Sequence, residues 1–202
     1  MHLDKNATIC FYMNEMKLVV VNQDYLSHLS RIESGIYFKK GNGFPRPYVG
    51  TVFKVKDFKY FAPIASQQHG HDLLTWPRKE NFYFLPINNG EHGGINFGRM
   101  IPVRKDGLYE LADMDYYTTD DEATNAHKQL MFDQLEFMDV NSEKIQTKAE
   151  EVYYLKVDKC LRKACDAKLL NFKKLEKHAY EFGRGKKPQQ EKPDVSGLIE
   201  LD

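Results

Sequence analysis

Two β-rich runs on either side of one turn signal constrain this chain more than any other feature. Residues 48–56, YVGTVFKVK, and 58–64, FKYFAPI, are β-branched and aromatic, with Asp57 between them. That pattern predicts an antiparallel hairpin. The second run meets Pro63 and opens into Ser66, Gln67, Gln68, His69, Gly70 and His71, so one strand delivers a hydroxyl, two amides and two imidazoles to a single loop. The loop continues to about residue 81, is interrupted by proline, and reads as a functional segment by its length. In an antiparallel hairpin the start of one strand lies beside the end of its partner. Arg46, just before the first run, is therefore expected next to Ser66.

The remaining pattern places strands first and helices last. Met16 precedes Lys17-Leu18-Val19-Val20-Val21, a strand, and Asn22 or Asp24 caps a short helix carrying Tyr25, Leu26 and Leu29. A loop with Gly35, Gly41, Gly43, Pro45 and Pro47 follows and holds Lys39, Lys40 and Arg46. Residues 82–87 read as a strand, Asn88-Asn89-Gly90 as a turn, and 94–103 as one further strand, giving a meander-like sheet. Leu108, Leu111 and Met114 suggest a brief connection into the acidic stretch 113–122, where Asp120 or Asp121 can cap a helix. From Ala123, a long helix is expected on Ala126, Leu130, Met131, Leu135, Met138 and Ile145. A second is expected over about 149–164 on Val152, Tyr153, Val157, Cys160, Leu161 and Ala164. A third begins at an Asn171 cap, buries Phe172, Leu175, Ala179 and Phe182, and stops at Gly183. This order implies an α+β domain, a mostly antiparallel sheet covered by flanking helices. Residues 1–15 read as an N-terminal extension, 16–183 as the folded domain, and 184–202 as a flexible tail rich in glycine, proline, lysine and glutamine.

Charge bears on partners. Lysine plus arginine and aspartate plus glutamate number 29 each, so no global field draws the protein to a polyanion, and affinity for RNA requires a local patch. Cys10, Cys160 and Cys165 are an odd set without CxxC spacing, as suits a reducing cytosol and packing roles. No apolar run is long enough to span a bilayer and no secretory signal opens the chain, so a cytoplasmic location is expected.

Metal-free RNA cleavage needs groups that move protons and cations that stabilise charge on the phosphate. Ser66, His69, His71 and Arg46 form a candidate catalytic set of that kind. Gln68, Lys39, Lys40, His127, Lys128 and Phe132 are candidate RNA contacts. Each also has an ordinary structural role: Ser66 as a cap or turn residue, Arg46 and the lysines as solvated charges, His127-Lys128 as a solvated pair, Phe132 as core. His69, His71 and Asp72 alternatively form part of a metal site. The Lys186-Lys187 pair is too short for a nucleic-acid arm.

Several segments, taken in order, resemble the ToxN/AbiQ family of type III toxin–antitoxin systems. They are Tyr48-Val49-Gly50; Tyr60 through Ser66 with His71; Ile95-Asn96-Phe97 with Met100-Ile101-Pro102; Gln134-Leu135-Glu136-Phe137; Asn141 through Ile145; and residues 175–183. The resemblance implies a twisted antiparallel sheet related to Kid/MazF toxins. It implies a metal-independent endoribonuclease, needing no cofactor, that leaves 2′,3′-cyclic phosphate and 5′-hydroxyl ends on cellular or phage RNA. It also implies inhibition by a cognate antitoxin RNA, a pseudoknot cut from tandem repeats, within a protein–RNA assembly and without a membrane partner. Ser66 then matches the family's key serine, His71 the histidine closing its loop motif, Arg46 a basic residue before the hairpin, and Phe132 a helix aromatic near the site. Ala65 stands where the family usually has a hydroxyl residue, and Gln68 where it usually has lysine. Gln68 can hydrogen-bond a phosphate but cannot neutralise it, so the expectation is that His69 or His71 carries proton transfer and Arg46 clamps the phosphate. A non-catalytic RNA-binding relative is the other reading of that lost lysine.

Overall fold

The computed structural model describes residues 16–36, 45–65, 82–104, 107–112, 121–159, 161 and 166–182. The expectations for the leader 1–15, the loop 66–81, the three cysteines and the tail 184–202 concern residues outside these. The α+β expectation holds: a seven-stranded sheet with every pair antiparallel carries four helices among the described residues.

The strands are β1 (Lys17–Val21), β2 (Tyr48–Val55), β3 (Phe58–Ala65), β4 (Phe84–Pro86), β5 (Gly94–Asn96), β6 (Ile101–Val103) and β7 (Tyr109–Leu111). Their order is β4-β5-β3-β2-β1-β7, with β6 also paired to β3. The predicted hairpin is β2–β3, closed by a tight turn in which Val55 pairs with Phe58. Lys56 takes a left-handed φ of 51° there, the turn geometry that suits the twist of a hairpin.

Three strand expectations are corrected. Residues 94–103 are two strands, because a 3-10 turn at Phe97–Arg99 steps the chain along β3. β6 pairs with Lys59–Phe61 and β5 with Ile64–Ala65. Pro63, with no N–H, falls where β3 changes from one neighbour to the other, a tolerable place for proline in a central strand. The run at 82–87 shortens to β4. The connection near Leu108 contains β7, which pairs with β1 at the far edge, so the sheet is not a simple meander.

The helices are α1 (Gln23–Ser30), α2 (Glu122–Val140), α3 (Ser142–Val157) and α4 (Phe172–Glu181). Asn22, Asp121 and Asn171 cap three of them: their side-chain oxygens accept from the amides of Tyr25, of Ala123 and Thr124, and of Lys174. Each bond satisfies an amide that the first turn leaves unpaired. The long helix divides at Asn141, whose φ of −111° and ψ of 18° leave the helical region, so Ile145 belongs to α3 and α3 starts seven residues earlier than expected. Met131, Gln134 and Met138 make the buried stripe of α2, whereas Ala126 is exposed. On α4, Phe172, Leu175 and Ala179 are buried as predicted.

One polar cluster lies inside the core. Glu176 of α4 is 8% exposed. Its Oε1 accepts from the Tyr60 hydroxyl at 2.9 Å and the Tyr153 hydroxyl at 2.6 Å, and Lys173 Nζ pairs with Oε2 at 3.0 Å. Tyr153 stacks on Phe172 with ring centroids 5.7 Å apart, and Tyr60 on Phe53 at 4.8 Å. A buried carboxylate is tolerable when its oxygens are saturated in this way. No helix among the described residues is long and apolar enough to cross a membrane.

Candidate functional site

The open end of the β2–β3 hairpin gathers the first functional side chain. Ile64 donates its N–H to the Pro47 carbonyl at 3.1 Å. In an antiparallel ladder such a pair normally exchanges a second bond in return, but Pro47 has no N–H to give. The Ile64 carbonyl instead accepts from Arg46 Nη1 at 3.0 Å. A local defect in the ladder thus seats a guanidinium against the end of β3, two residues before Ser66. The hairpin argument expected Arg46 beside Ser66; what the described residues show is Arg46 against Ile64. Ser66, Gln68, His69, His71 and Asp72 lie outside the described residues, as do Lys39 and Lys40.

Across β3 from Arg46, Ala65 pairs with Gly94 at the start of β5. A side chain at Gly94 would meet Phe84 Cζ at 2.1 Å and the Leu85 carbonyl at 2.9 Å, so only glycine lets β4, β5 and the end of β3 close together. The β4–β5 connection then presents His92, a residue that sequence reasoning passed over. Asn88 Nδ2 donates to His92 Nδ1 at 2.9 Å, leaving the ring proton of the neutral imidazole on Nε2. That nitrogen is 3.6 Å from Asp133 Oδ2, and both side chains are partly exposed, at 26% and 30%. The adjoining Gln134 is buried and donates Nε2 to the His92 carbonyl at 2.9 Å. The only sequence signal for His92 was its turn, Asn88-Asn89-Gly90; its position beside the end of β3 follows from long-range pairing.

The α2 candidates divide by helical position. His127 shares the Met131–Gln134 stripe, so it lies on the face that meets the His92 loop. Burial lowers its pKa below the ordinary imidazole value, favouring the neutral ring. Lys128 and Phe132 are four residues apart on the adjoining face, and both are half-buried. The structure therefore brings α2 to this end of the sheet through Asp133 and Gln134. At neutral pH this end of the sheet holds the Arg46 guanidinium against β3 and a carboxylate-paired imidazole in the β4–β5 connection, groups suited to acid–base chemistry on an anionic substrate.

An antiparallel sheet flanked by helices is a fold this chain shares with solved toxin structures. The solved structure of AbiQ, a lactococcal anti-phage endoribonuclease of a type III toxin–antitoxin system, superposes with a TM-score of 0.67 at 26% identity, covering 83% of this chain and 97% of that one. A structure of a type III toxin selectively inhibited by a non-coding RNA pseudoknot gives 0.66 at 23% identity, covering 84% and 98%. The family model of the toxin ToxN, type III toxin–antitoxin system, matches residues 17–180, and the chain belongs to this family. Among curated relatives, endoribonuclease AbiQ of Lactococcus lactis subsp. lactis is 31% identical over 169 residues, spanning 78% of this chain and 87% of AbiQ. Endoribonuclease ToxN of Pectobacterium atrosepticum is 23% identical over 175 residues, spanning 84% and 95%.

Proposed function

We propose that this protein is the endoribonuclease toxin of a type III toxin–antitoxin system, acting in the cytoplasm through one domain, residues 16–183, with flanking segments on either side. The observation that supports it most directly is the Arg46–Ile64 bond, which holds a cation at the strand end from which the chain continues to Ser66. The chemistry is metal-independent transesterification. A base removes the proton of a ribose 2′-hydroxyl, the 2′-oxygen attacks the adjacent phosphorus, and the 5′-oxygen leaves with a proton from an acid. The products are a 2′,3′-cyclic phosphate and a 5′-hydroxyl.

Arg46 offsets the charge that grows on the non-bridging oxygens. His71 or His69 supplies proton transfer, and Ser66 orients the 2′-hydroxyl or phosphate. His92, with Asp133 beside it, is a further imidazole at the same end. Gln68, in the place of the family's usual lysine, hydrogen-bonds phosphate without neutralising it, which leaves the cationic role to Arg46. Lys39, Lys40, His127, Lys128 and Phe132 contact the RNA strand. A cognate pseudoknot RNA inhibits the toxin, as its structural relative is inhibited by one, and phage defence is the expected role, as for lactococcal AbiQ.

Long single-stranded RNA incubated with the protein in excess EDTA tests this reading by the chemistry of the product ends. Cyclic phosphate and 5′-hydroxyl ends, lost in folded Ser66→Ala and Arg46→Ala proteins, are expected. Intact RNA would overturn it, and cutting restored by divalent cations would favour the metal site at His69, His71 and Asp72.

A further inference from the structure

A chain with no net charge must concentrate its cations to hold RNA, and this one does so far along the sequence from Arg46. Residues 110–151 carry twelve carboxylates against three lysines, whereas residues 156–177 carry eight lysines and arginines against three carboxylates. The second segment runs from the end of α3 into α4, and a cavity of about 340 Å³ lies between these helices. Lys156, Lys159 and Lys173 line it with Asn171 and Asp166, and Phe172 forms part of its apolar wall.

Each lysine is placed differently. Lys156 is 13% exposed on its side chain, pairs with Asp166 Oδ1 at 2.8 Å and donates to the Asp166 carbonyl at 3.0 Å. Among the described lining residues Asp166 is the one carboxylate, and it is engaged in that pair. Lys173 is anchored on Glu176 while its side chain remains 46% exposed. Lys159 is exposed and follows α3 with a left-handed φ of 55°, a conformation for which glycine is the less strained choice. A lysine at that position is a costly way to turn the chain and an effective way to bring a third ammonium to the cavity. The volume falls within the range of small-ligand sites; Lys156 and Lys173 are paired with Asp166 and Glu176, so the positive charge in excess comes from Lys159 and suits an anionic group.

We infer that the α3–α4 cavity is an RNA backbone subsite, in which Lys159 and Lys173 hold phosphodiester groups of a strand engaged elsewhere on the protein. The inference rests on the endoribonuclease reading for its choice of RNA as the polyanion. Its ligand chemistry is common to a linear substrate and to a folded inhibitory RNA, and the experiment separates the two. Binding of a single-stranded oligouridylate of about 20 nucleotides and of a synthetic pseudoknot RNA is measured against salt for the parent, Lys159→Gln and Lys159→Arg, each shown folded by thermal melting. Cleavage of a dinucleotide, the shortest substrate for the chemistry, is measured alongside.

Lys159→Gln is expected to weaken binding about fivefold at moderate salt and to reduce the log–log salt slope by about 0.7, the loss of one phosphate contact on a single strand. Lys159→Arg retains both, and dinucleotide cleavage is unchanged. Weakening confined to the oligouridylate assigns the subsite to substrate, and weakening confined to the pseudoknot assigns it to the inhibitor. Unchanged affinity and slope for both RNAs overturn the inference. If the parent cuts neither RNA nor dinucleotide, the endoribonuclease reading fails by itself, while the binding curves, which need no turnover, still decide the subsite.

Discussion

Strand β3 carries two polar arrangements, and they are built on opposite principles. At Tyr60, in its first half, two buried tyrosine hydroxyls converge on Glu176 among packed aromatic rings, and the half-exposed Lys173 ammonium closes the carboxylate from the solvent side. At Ile64, near its end, the ladder is interrupted by Pro47 and a long cationic side chain bridges the gap. A saturated buried network specifies and stiffens a core. A ladder defect bridged by a guanidinium places a strong, half-buried cation at the end of the hairpin. The lesson is that two polar arrangements on one strand can be satisfied in different ways, one by convergence on a buried carboxylate and the other by a side chain filling a gap that proline leaves in the ladder.

The largest effect should come from breaking the closed cluster. Glu176→Ala leaves two buried tyrosine hydroxyls without their acceptor, so urea unfolding should show a loss of about 2–4 kcal/mol. Next is the open end: Arg46→Ala should lower the cleavage rate by about 10²–10³, as for removal of one transition-state charge contact, yet cost only about 1 kcal/mol of stability for one hydrogen bond. Arg46→Lys keeps charge but loses the planar fork and should recover only part of the rate. If Arg46→Ala destabilised as much as Glu176→Ala without a selective loss of rate, the contrast would collapse.

A finer test restores the missing ladder donor. Pro47→Ala supplies an N–H for the Ile64 carbonyl, releasing Arg46, and should change stability by about 1 kcal/mol or less while reducing cleavage several-fold through the freed guanidinium.

The smallest effects are in pH. In the closed cluster, burial and then the bond to Glu176 push the Tyr153 hydroxyl up to about 12, and burial raises Tyr60 as well. The folded state then holds these protons more tightly than the unfolded chain, so stability should be intact below about pH 10 and fall as pH climbs toward 12. His127 has the opposite sign. Its lowered value means the unfolded chain binds the proton more readily, so stability should fall as pH drops below the ordinary imidazole range, and His127→Gln should flatten that acid limb in thermal melts.

Local features of the chain were readable wherever a local cause produced them. The β2–β3 hairpin, the Asn22, Asp121 and Asn171 caps and the buried face of α4 each depend on neighbours within a few residues. Hairpin geometry also led to the expectation of Arg46 beside Ser66; the described contact is with Ile64, and Ser66 lies outside the described residues. The misreadings share another origin. Residues 94–103 look like one apolar strand because nothing local reveals that β3 takes two successive partners on one edge. β7 was hidden because three residues acquire a strand only by pairing with β1. His92 escaped notice because a histidine in a turn has no periodic signal, and the lysines of the α3–α4 cavity carry none either.

The sequence by itself determined the α+β class, the family and the identity of the polar groups available for chemistry, since hydrophobic period, caps and turn residues act over short range. Tertiary structure alone decided which of those groups share an environment. Glu176 meets Tyr60 across 116 residues, and Gln134 meets His92 across 42. Contacts at such separation are set by strand order and helix packing, which many sequences can share and no short window encodes.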